Sequence, residues 1–149
     1  MQRAPGGKYI MESTLLVLIF LFVISIIDFK WKAIPSVIMT GFLFIIAAVN
    51  TTNFFYFGLL TIFGILLYEF KFIGGVADIK ALSIVGFTIA SHLETFIFIL
   101  LVTFFGLLYK ILAKYILRER EETAFLIVFF FSYLCLKLIM NIMWGGNWI

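Results

Sequence analysis

Charged side chains are scarce in this chain of 149 residues. Only 13% of the residues are Asp, Glu, Lys or Arg, whereas 64% are apolar, and the mean hydropathy is +1.20. Soluble domains carry roughly 25% charged residues, and the apolar residues here lie in long runs without regular polar interruptions. The composition therefore argues against an ordinary soluble domain and predicts an integral membrane protein.

Cysteine and histidine are nearly absent. The one cysteine, Cys135, excludes an internal disulfide and a cysteine-based metal knuckle, and the one histidine, His92, argues against a histidine metal site or a Ser/His triad. The net charge of +3 does not indicate nucleic-acid binding, because the basic residues flank apolar runs, as membrane orientation requires. We expect no metal, no cofactor and no nucleic-acid partner; the sequence leaves the oligomeric state open.

Six apolar stretches approach the length of a membrane span, which is about 20 helical residues. The fourth is the least apolar, and we expect it to lie against protein rather than lipid. The predicted fold is all-α, a polytopic bundle of six transmembrane helices forming one domain over residues 13–149, with residues 1–12 as a leader or an added segment. The predicted spans are Ser13–Ile27, Pro35–Val49, Phe54–Phe70, Ile79–Ser91, Thr95–Leu117 and Thr123–Trp144.

Lysine and arginine are distributed unevenly between the connections. Those after the first, third and fifth spans are basic, whereas those after the second and fourth spans and the carboxyl-terminal tail contain no Lys or Arg. Cytoplasmic connections are enriched in Lys and Arg. The odd connections are therefore predicted to be cytoplasmic, with both termini outside.

The chain contains only two aspartates, and both fall at the predicted cytoplasmic edge. Asp28 closes the first span and Asp78 opens the fourth. Two carboxylates held close together share one proton, so the ionised member can activate water while the neutral member polarises a carbonyl group. An Asp at a helix end is also a common cap, and that alternative stays open for each aspartate taken alone.

The residues around the two aspartates form two short motifs. Asp28 begins the segment DFKWKAIPS, in which Pro35 starts the next helix. Asp78 lies in GGVADIK, whose glycines allow close approach of a substrate backbone. In this order and at these span ends, the segments resemble the two motifs of the prepilin and preflagellin peptidases, a family of Gly-x-Gly-Asp membrane aspartyl proteases. Ala77 stands where that family has its second glycine.

The resemblance implies an aspartic endopeptidase with Asp28 and Asp78 as its catalytic pair. Its substrates would be type IV pilin-like or flagellin-like precursors, cut at their signal peptides on the cytoplasmic face of a prokaryotic plasma membrane. Lys80 either holds a carboxylate ionised or is a plain interfacial lysine. Residues that would shape the loops or contact substrate are Pro35, Gly74, Gly75, Ala77 and Lys80.

Two other functions remain open on the sequence. A non-catalytic six-span subunit, such as a transporter or a secretion or assembly component, explains the spans but not the positions of both aspartates. A protease of the presenilin or signal-peptide-peptidase kind is larger and has its first Asp in a Tyr-Asp pair, whereas Ile27 precedes Asp28 here.

A lysine inside the sixth predicted span requires its own explanation. Charged residues inside a membrane are costly unless they are paired or reach the interface. We expect Lys137 to snorkel outward or to pair with Glu94, which lies in the connection before the fifth span.

Overall fold

The computed structural model describes residues 7–31, 36–49, 54–117 and 125–143. Within these ranges the chain is entirely helical apart from short turns, so the predicted all-α architecture is confirmed. A single π-helical turn, Ala113–Leu117, continues the fifth helix. The six α-helices are α1 Gly7–Trp31, α2 Ser36–Val49, α3 Phe54–Glu69, α4 Val76–Gly86, α5 His92–Leu112 and α6 Leu126–Met143.

Helix lengths bear directly on the number of membrane spans. Among the described residues, two stretches are long and apolar enough to cross a membrane, His92–Tyr115 and Leu126–Met143. Three more apolar helical stretches are shorter, Ser13–Asp28, Ser36–Val49 and Phe54–Glu69. At about 1.5 Å per residue, the 14 residues of α2 extend only about 21 Å, less than a hydrocarbon core of about 30 Å. Length and composition thus support two spans, and the six-span arrangement stays a proposal.

Helix α4 is the central element of the bundle. It packs against α3, α2, α6 and α1, and residues 81–89 are all buried. Polar side chains in this buried segment find partners on neighbouring helices: in α4 the Ser83 hydroxyl lies 2.7 Å from that of Thr61, and just after α4 Thr88 Oγ1 accepts the hydroxyl of Tyr133 at 2.6 Å. The fourth apolar segment therefore lies against protein, as the sequence predicts.

The contact between α3 and α4 is closest at a glycine. A Cβ atom added to Gly86 would lie 2.7 Å from the Cα atom of Phe57 and 2.8 Å from the carbonyl oxygen of Tyr56. Both are backbone atoms, which cannot move aside by a change of rotamer. The two helices can therefore approach this closely only because residue 86 has no side chain.

We expect Gly86→Ala to destabilise the bundle by about 1–3 kcal/mol, the usual cost of overpacking. Thermal unfolding of the purified protein in detergent measures the effect. Gly41→Ala is the matched control, because Gly41 is also within a helix but no atom lies within 4 Å of its added Cβ. An equal loss of stability in both variants would contradict this explanation.

Several helix boundaries differ from the predicted spans, most of all at the end of α4 and the start of α1. Helix α4 ends at Gly86 rather than Ser91, because Ser91 is the N-cap of α5 and its hydroxyl accepts the N–H of Glu94 at 3.2 Å. Helix α1 begins at Gly7. Helical backbone therefore continues into the segment 1–12 that was predicted as a leader.

A Schellman motif ends α3 and turns the chain toward α4. The N–H of Phe72 donates to Leu67 O at 2.8 Å and that of Lys71 donates to Tyr68 O at 2.9 Å. Lys71 has the left-handed φ of 53° that this motif requires, although a non-glycine residue there costs roughly 1–2 kcal/mol. The turn directs Gly74 and Gly75 into the start of α4.

Candidate active site

Asp28 lies near the end of α1, on the face that packs into the bundle. It follows the buried residues Leu21 and Ile24 at spacings of seven and four, which places all three on one side of the helix. The carboxyl is partly buried, and its Oδ2 accepts the N–H of Leu126 at 3.4 Å. One turn earlier, the Ser25 hydroxyl donates to Leu126 O at 3.2 Å. These contacts attach the end of α1 to the start of α6.

Asp78 lies in the first turn of α4 and is only 7% exposed. Its Oδ2 accepts the backbone N–H groups of Gly74 and Gly75, each at 3.2 Å. Gly75 is the N-cap residue and has an extended backbone. These N–H groups have no partner within the helix, and the helix dipole favours a carboxylate beside them. Asp78 therefore caps the start of α4, which is the alternative that the sequence left open for each aspartate.

The two aspartates lie near enough to interact electrostatically. Burial, followed by the charge of Asp28, raises the pKa of Asp78 from 3.8 to about 7, against the opposing effect of the two glycine N–H groups. Burial also raises the pKa of Asp28, and the hydrogen bond from Leu126 lowers it. Both carboxyls lie just outside the predicted spans, because the first span ends at Ile27 and the fourth begins at Ile79. Asp78 therefore keeps its proton up to about pH 7.

Open space adjoins the glycines that precede Asp78. Gly74 is exposed, and a Cβ atom added to it would meet nothing within 4 Å; the nearest atom to one on Gly75 is Ala77 N at 3.9 Å. Ala77 itself is partly buried and packs against the core. Among the described residues, a side chain at either position would therefore meet no close contact at its Cβ atom.

Lys80 connects α4 to α2. Its ammonium group donates to the hydroxyl and carbonyl oxygens of Ser36 and, at 2.7 Å, to Thr40 Oγ1. Lys80 thus joins α4 to the first turns of α2. Ser36 closes the first motif, so this contact connects the two motifs. Pro35, also a predicted site residue, lies outside the described residues.

A second polar cluster lies at the opposite end of α4. Lys137 Nζ is 3.6 Å from Glu94 Oε2, with side chains 3% and 1% exposed, which confirms the predicted pairing. The lysine also donates to Thr88 O at 3.4 Å, and Glu94 accepts the Ala90 N–H at 3.0 Å. The pair fixes α5 and α6 to the segment that follows α4.

Fold and site together define a helical bundle in which an interacting pair of aspartates lies at one end of a buried central helix. The chain matches no protein-family model, no curated protein and no solved structure. The arguments for its function therefore rest on the geometry and chemistry of its own residues.

Proposed function

We propose that this protein is a membrane aspartic endopeptidase of the prepilin peptidase kind. In this proposal it cleaves the signal peptides of type IV pilin-like or flagellin-like precursors at the cytoplasmic membrane face. The observation that carries the proposal is that Asp28 and Asp78, the only two aspartates of the chain, come from two helices that pack against each other, so that the charge of Asp28 contributes to the raised pKa of Asp78. Aspartates used only as caps have no need to interact.

The proposed mechanism gives each carboxyl one task. Asp28 is the less buried of the two, so it is the ionised member and accepts a proton from the attacking water. Asp78 keeps its proton up to about pH 7 and donates it toward the scissile carbonyl oxygen. As the C–N bond breaks, the proton that Asp28 accepted from the water passes to the leaving amine. The products are a carboxylate and an amine.

The outer surface of the bundle supports a membrane location. Large apolar side chains are exposed on α1, α2, α3, α5 and α6, including Ile19, Phe44, Ile62 and Phe104, which are 57–68% exposed. Soluble monomers rarely expose apolar surface on this scale. Helix α4, about 17 Å long from its 11 residues, does not need to meet lipid, because other helices surround it. We propose six spans with the basic connections in the cytoplasm and both termini outside.

The alternative of a non-catalytic membrane subunit also has an observation in its favour. The hydrogen bonds of both aspartates go to backbone N–H groups: Asp78 caps α4, and Asp28 fixes the start of α6. A transporter or assembly component would use them in the same way. A peptidase requires proton transfer by both carboxyl groups, whereas a non-catalytic subunit requires only their hydrogen bonds.

Cleavage by the purified protein in lipid vesicles tests the proposal. The substrate is a pilin-type precursor with a short basic segment, a glycine at the cut and an apolar helix. We expect a cut after the glycine that chelators and serine- or cysteine-directed inhibitors leave unaffected. The rate should fall as pH rises through about 7, because Asp78 then loses its proton. Absence of cleavage across the pH range in folded protein would contradict the proposal.

A further inference from the structure

Helix α5 contains no aspartate, but one of its faces contacts the loop that precedes Asp78. Lys110 lies in the last turn of α5, and its ammonium group donates to Lys71 O at 3.0 Å. The same ammonium group lies 4.4 Å from the centre of the Phe72 ring, within the distance of about 6 Å at which a cation and an aromatic ring attract each other. One side chain of α5 thus contacts two consecutive residues of this loop.

Lys71 has the backbone conformation that directs the chain toward α4. Among the described residues it is the only non-glycine residue with a positive φ. Such a residue keeps its conformation only where the surrounding contacts hold it there. Gly74 and Gly75 follow within four residues, and they supply the N–H groups that Asp78 accepts, each at 3.2 Å. The position of these two donors therefore depends on how the loop at Lys71 is held.

The Phe72 ring also connects this loop to the start of α6, which contacts Asp28. Phe72 meets the ring of Phe125 edge to face, with centroids 5.5 Å apart. Phe125 is only 1% exposed, and it directly precedes Leu126, whose N–H donates to Asp28 Oδ2. The two rings therefore connect the segments that donate hydrogen bonds to the two carboxyls.

Gly106 leaves the space that both rings occupy. It lies four residues before Lys110, on the same face of α5. A Cβ atom added to it would lie 2.7 Å from Phe125 Cζ and 2.7 Å from Phe72 Cε1. The two rings cannot both keep their positions if residue 106 has a side chain. Gly106 and Lys110 thus form one surface of α5, against which Phe72 and Phe125 are placed.

We propose that Lys110 is a positioning residue for Asp78. It holds the loop before α4 in the arrangement in which the N–H groups of Gly74 and Gly75 reach the carboxyl. Its effect on cleavage rests on the proposed peptidase function, but its effect on the carboxyl does not. The two hydrogen bonds favour the ionised carboxyl, and they oppose burial and the charge of Asp28, which raise the pKa of Asp78. Loosening the loop should therefore raise that pKa further.

NMR of detergent-purified protein, labelled with carbon-13 at the aspartate side-chain carboxyls, tests the proposal. The chain has only two aspartates, so the spectrum has two carboxyl signals, and Asp78→Asn identifies that of Asp78. We expect Lys110→Met to raise the pKa of Asp78 by about one pH unit, roughly the effect of losing one or two hydrogen bonds to a carboxylate. Lys110→Arg should keep it at about 7, because Arg also donates and stacks on aromatic rings. An unchanged pKa in Lys110→Met would overturn the proposal.

Variants that change no charge separate position from electrostatics. Lys110→Met removes a positive charge, which by itself raises the pKa of a nearby carboxyl. Gly106→Ala and Phe72→Leu keep every charge but disturb the contacts of the Phe72 ring, so both should also raise the pKa of Asp78. The matched control is Lys114→Met, at an exposed lysine in the π-helical turn, which should have no effect. If Lys110→Met alone raises the pKa, Lys110 acts through its charge and the proposal is wrong.

The pH dependence of precursor cleavage is the second measurement. In Lys110→Met the fall in rate that follows loss of the Asp78 proton should move to higher pH by the same amount as the pKa. The rate at the optimum should fall about tenfold or more, since misplacing a catalytic group by about 1 Å can cost about 10²-fold. A variant that is only less stable would lose activity without moving this limb, and circular dichroism shows whether each variant is folded. If the parent cuts no precursor but the NMR results are as expected, the peptidase is wrong and the positioning of Asp78 by Lys110 stands.

Discussion

Asp28→Asn and Asp78→Asn should each reduce the rate of precursor cleavage by about 10²–10⁴-fold, the contribution of a positioned acid or base. An amide at residue 28 cannot accept the proton of the attacking water. An amide at residue 78 cannot donate the proton that the pair holds below about pH 7. The rate is measured in lipid vesicles with a pilin-type precursor, at the pH where the parent protein is most active.

The choice of asparagine separates catalysis from capping. The amide oxygen of Asn can still accept the N–H groups of Gly74 and Gly75, as the amide of Gln does at this third helical position of a capping box. Asp78→Asn should therefore remain folded but inactive, whereas Asp78→Ala should also lose about 0.5–1.5 kcal/mol of stability for each hydrogen bond removed. Full activity of Asp78→Asn would show that the carboxyl serves only as a cap and would favour the non-catalytic subunit.

An exposed carboxylate at the carboxyl-terminal end of α3 supplies the control. Glu69 is the last residue of α3 and is exposed. Glu69→Gln removes a negative charge without touching the aspartate pair. It should leave the cleavage rate within about twofold of the parent, because exposed charges interact weakly through water.

Lys137→Met should be the most destabilising single substitution outside the aspartate pair. It removes the cation that neutralises Glu94, and both side chains are almost completely buried. Breaking a buried ion pair by removing one partner costs about 3–5 kcal/mol, because the remaining charge has no compensation. Thermal or denaturant unfolding in detergent measures the loss.

The double variant Glu94→Gln with Lys137→Met is the decisive comparison. Once both charges are removed, most of the lost stability should return, because replacing a buried pair by neutral groups is often nearly neutral. Gln can still accept the Ala90 N–H that Glu94 now accepts. Lys114→Met, at an exposed lysine, should have little effect. A Lys137→Met protein as stable as the parent would mean that the pair contributes nothing.

Much of the fold follows from where the apolar runs begin and end. Helices α2 and α3 match their predicted spans to within one residue, because polar or proline residues bound each run closely. The predicted end of α4 was wrong, because the number of apolar residues in a run does not show where a helix cap lies. The sequence Ser91-His92-Leu93-Glu94 has the spacing of a capping box, and this signal marks the start of α5.

The polar contacts of the bundle were less predictable than its helices. The pairing of Lys137 with Glu94 could be predicted, because a buried charge needs an opposite charge and few were available. The contact of Lys80 with Ser36 and Thr40 could not, because hydroxyl groups are common and nothing in their spacing marks which helices will be neighbours. Only the packing of α2 against α4 brings these groups together.

The central position of α4 has a consequence for the synthesis of the chain. With 11 residues it is too short to be stable in lipid alone, so it must enter the proposed membrane location together with α3, its closest neighbour. Helix α6, made after α1 to α5, supplies both Lys137 and the N–H group that Asp28 accepts. A nascent chain therefore carries an incomplete aspartate site until α6 has been released from the ribosome and packed against α1.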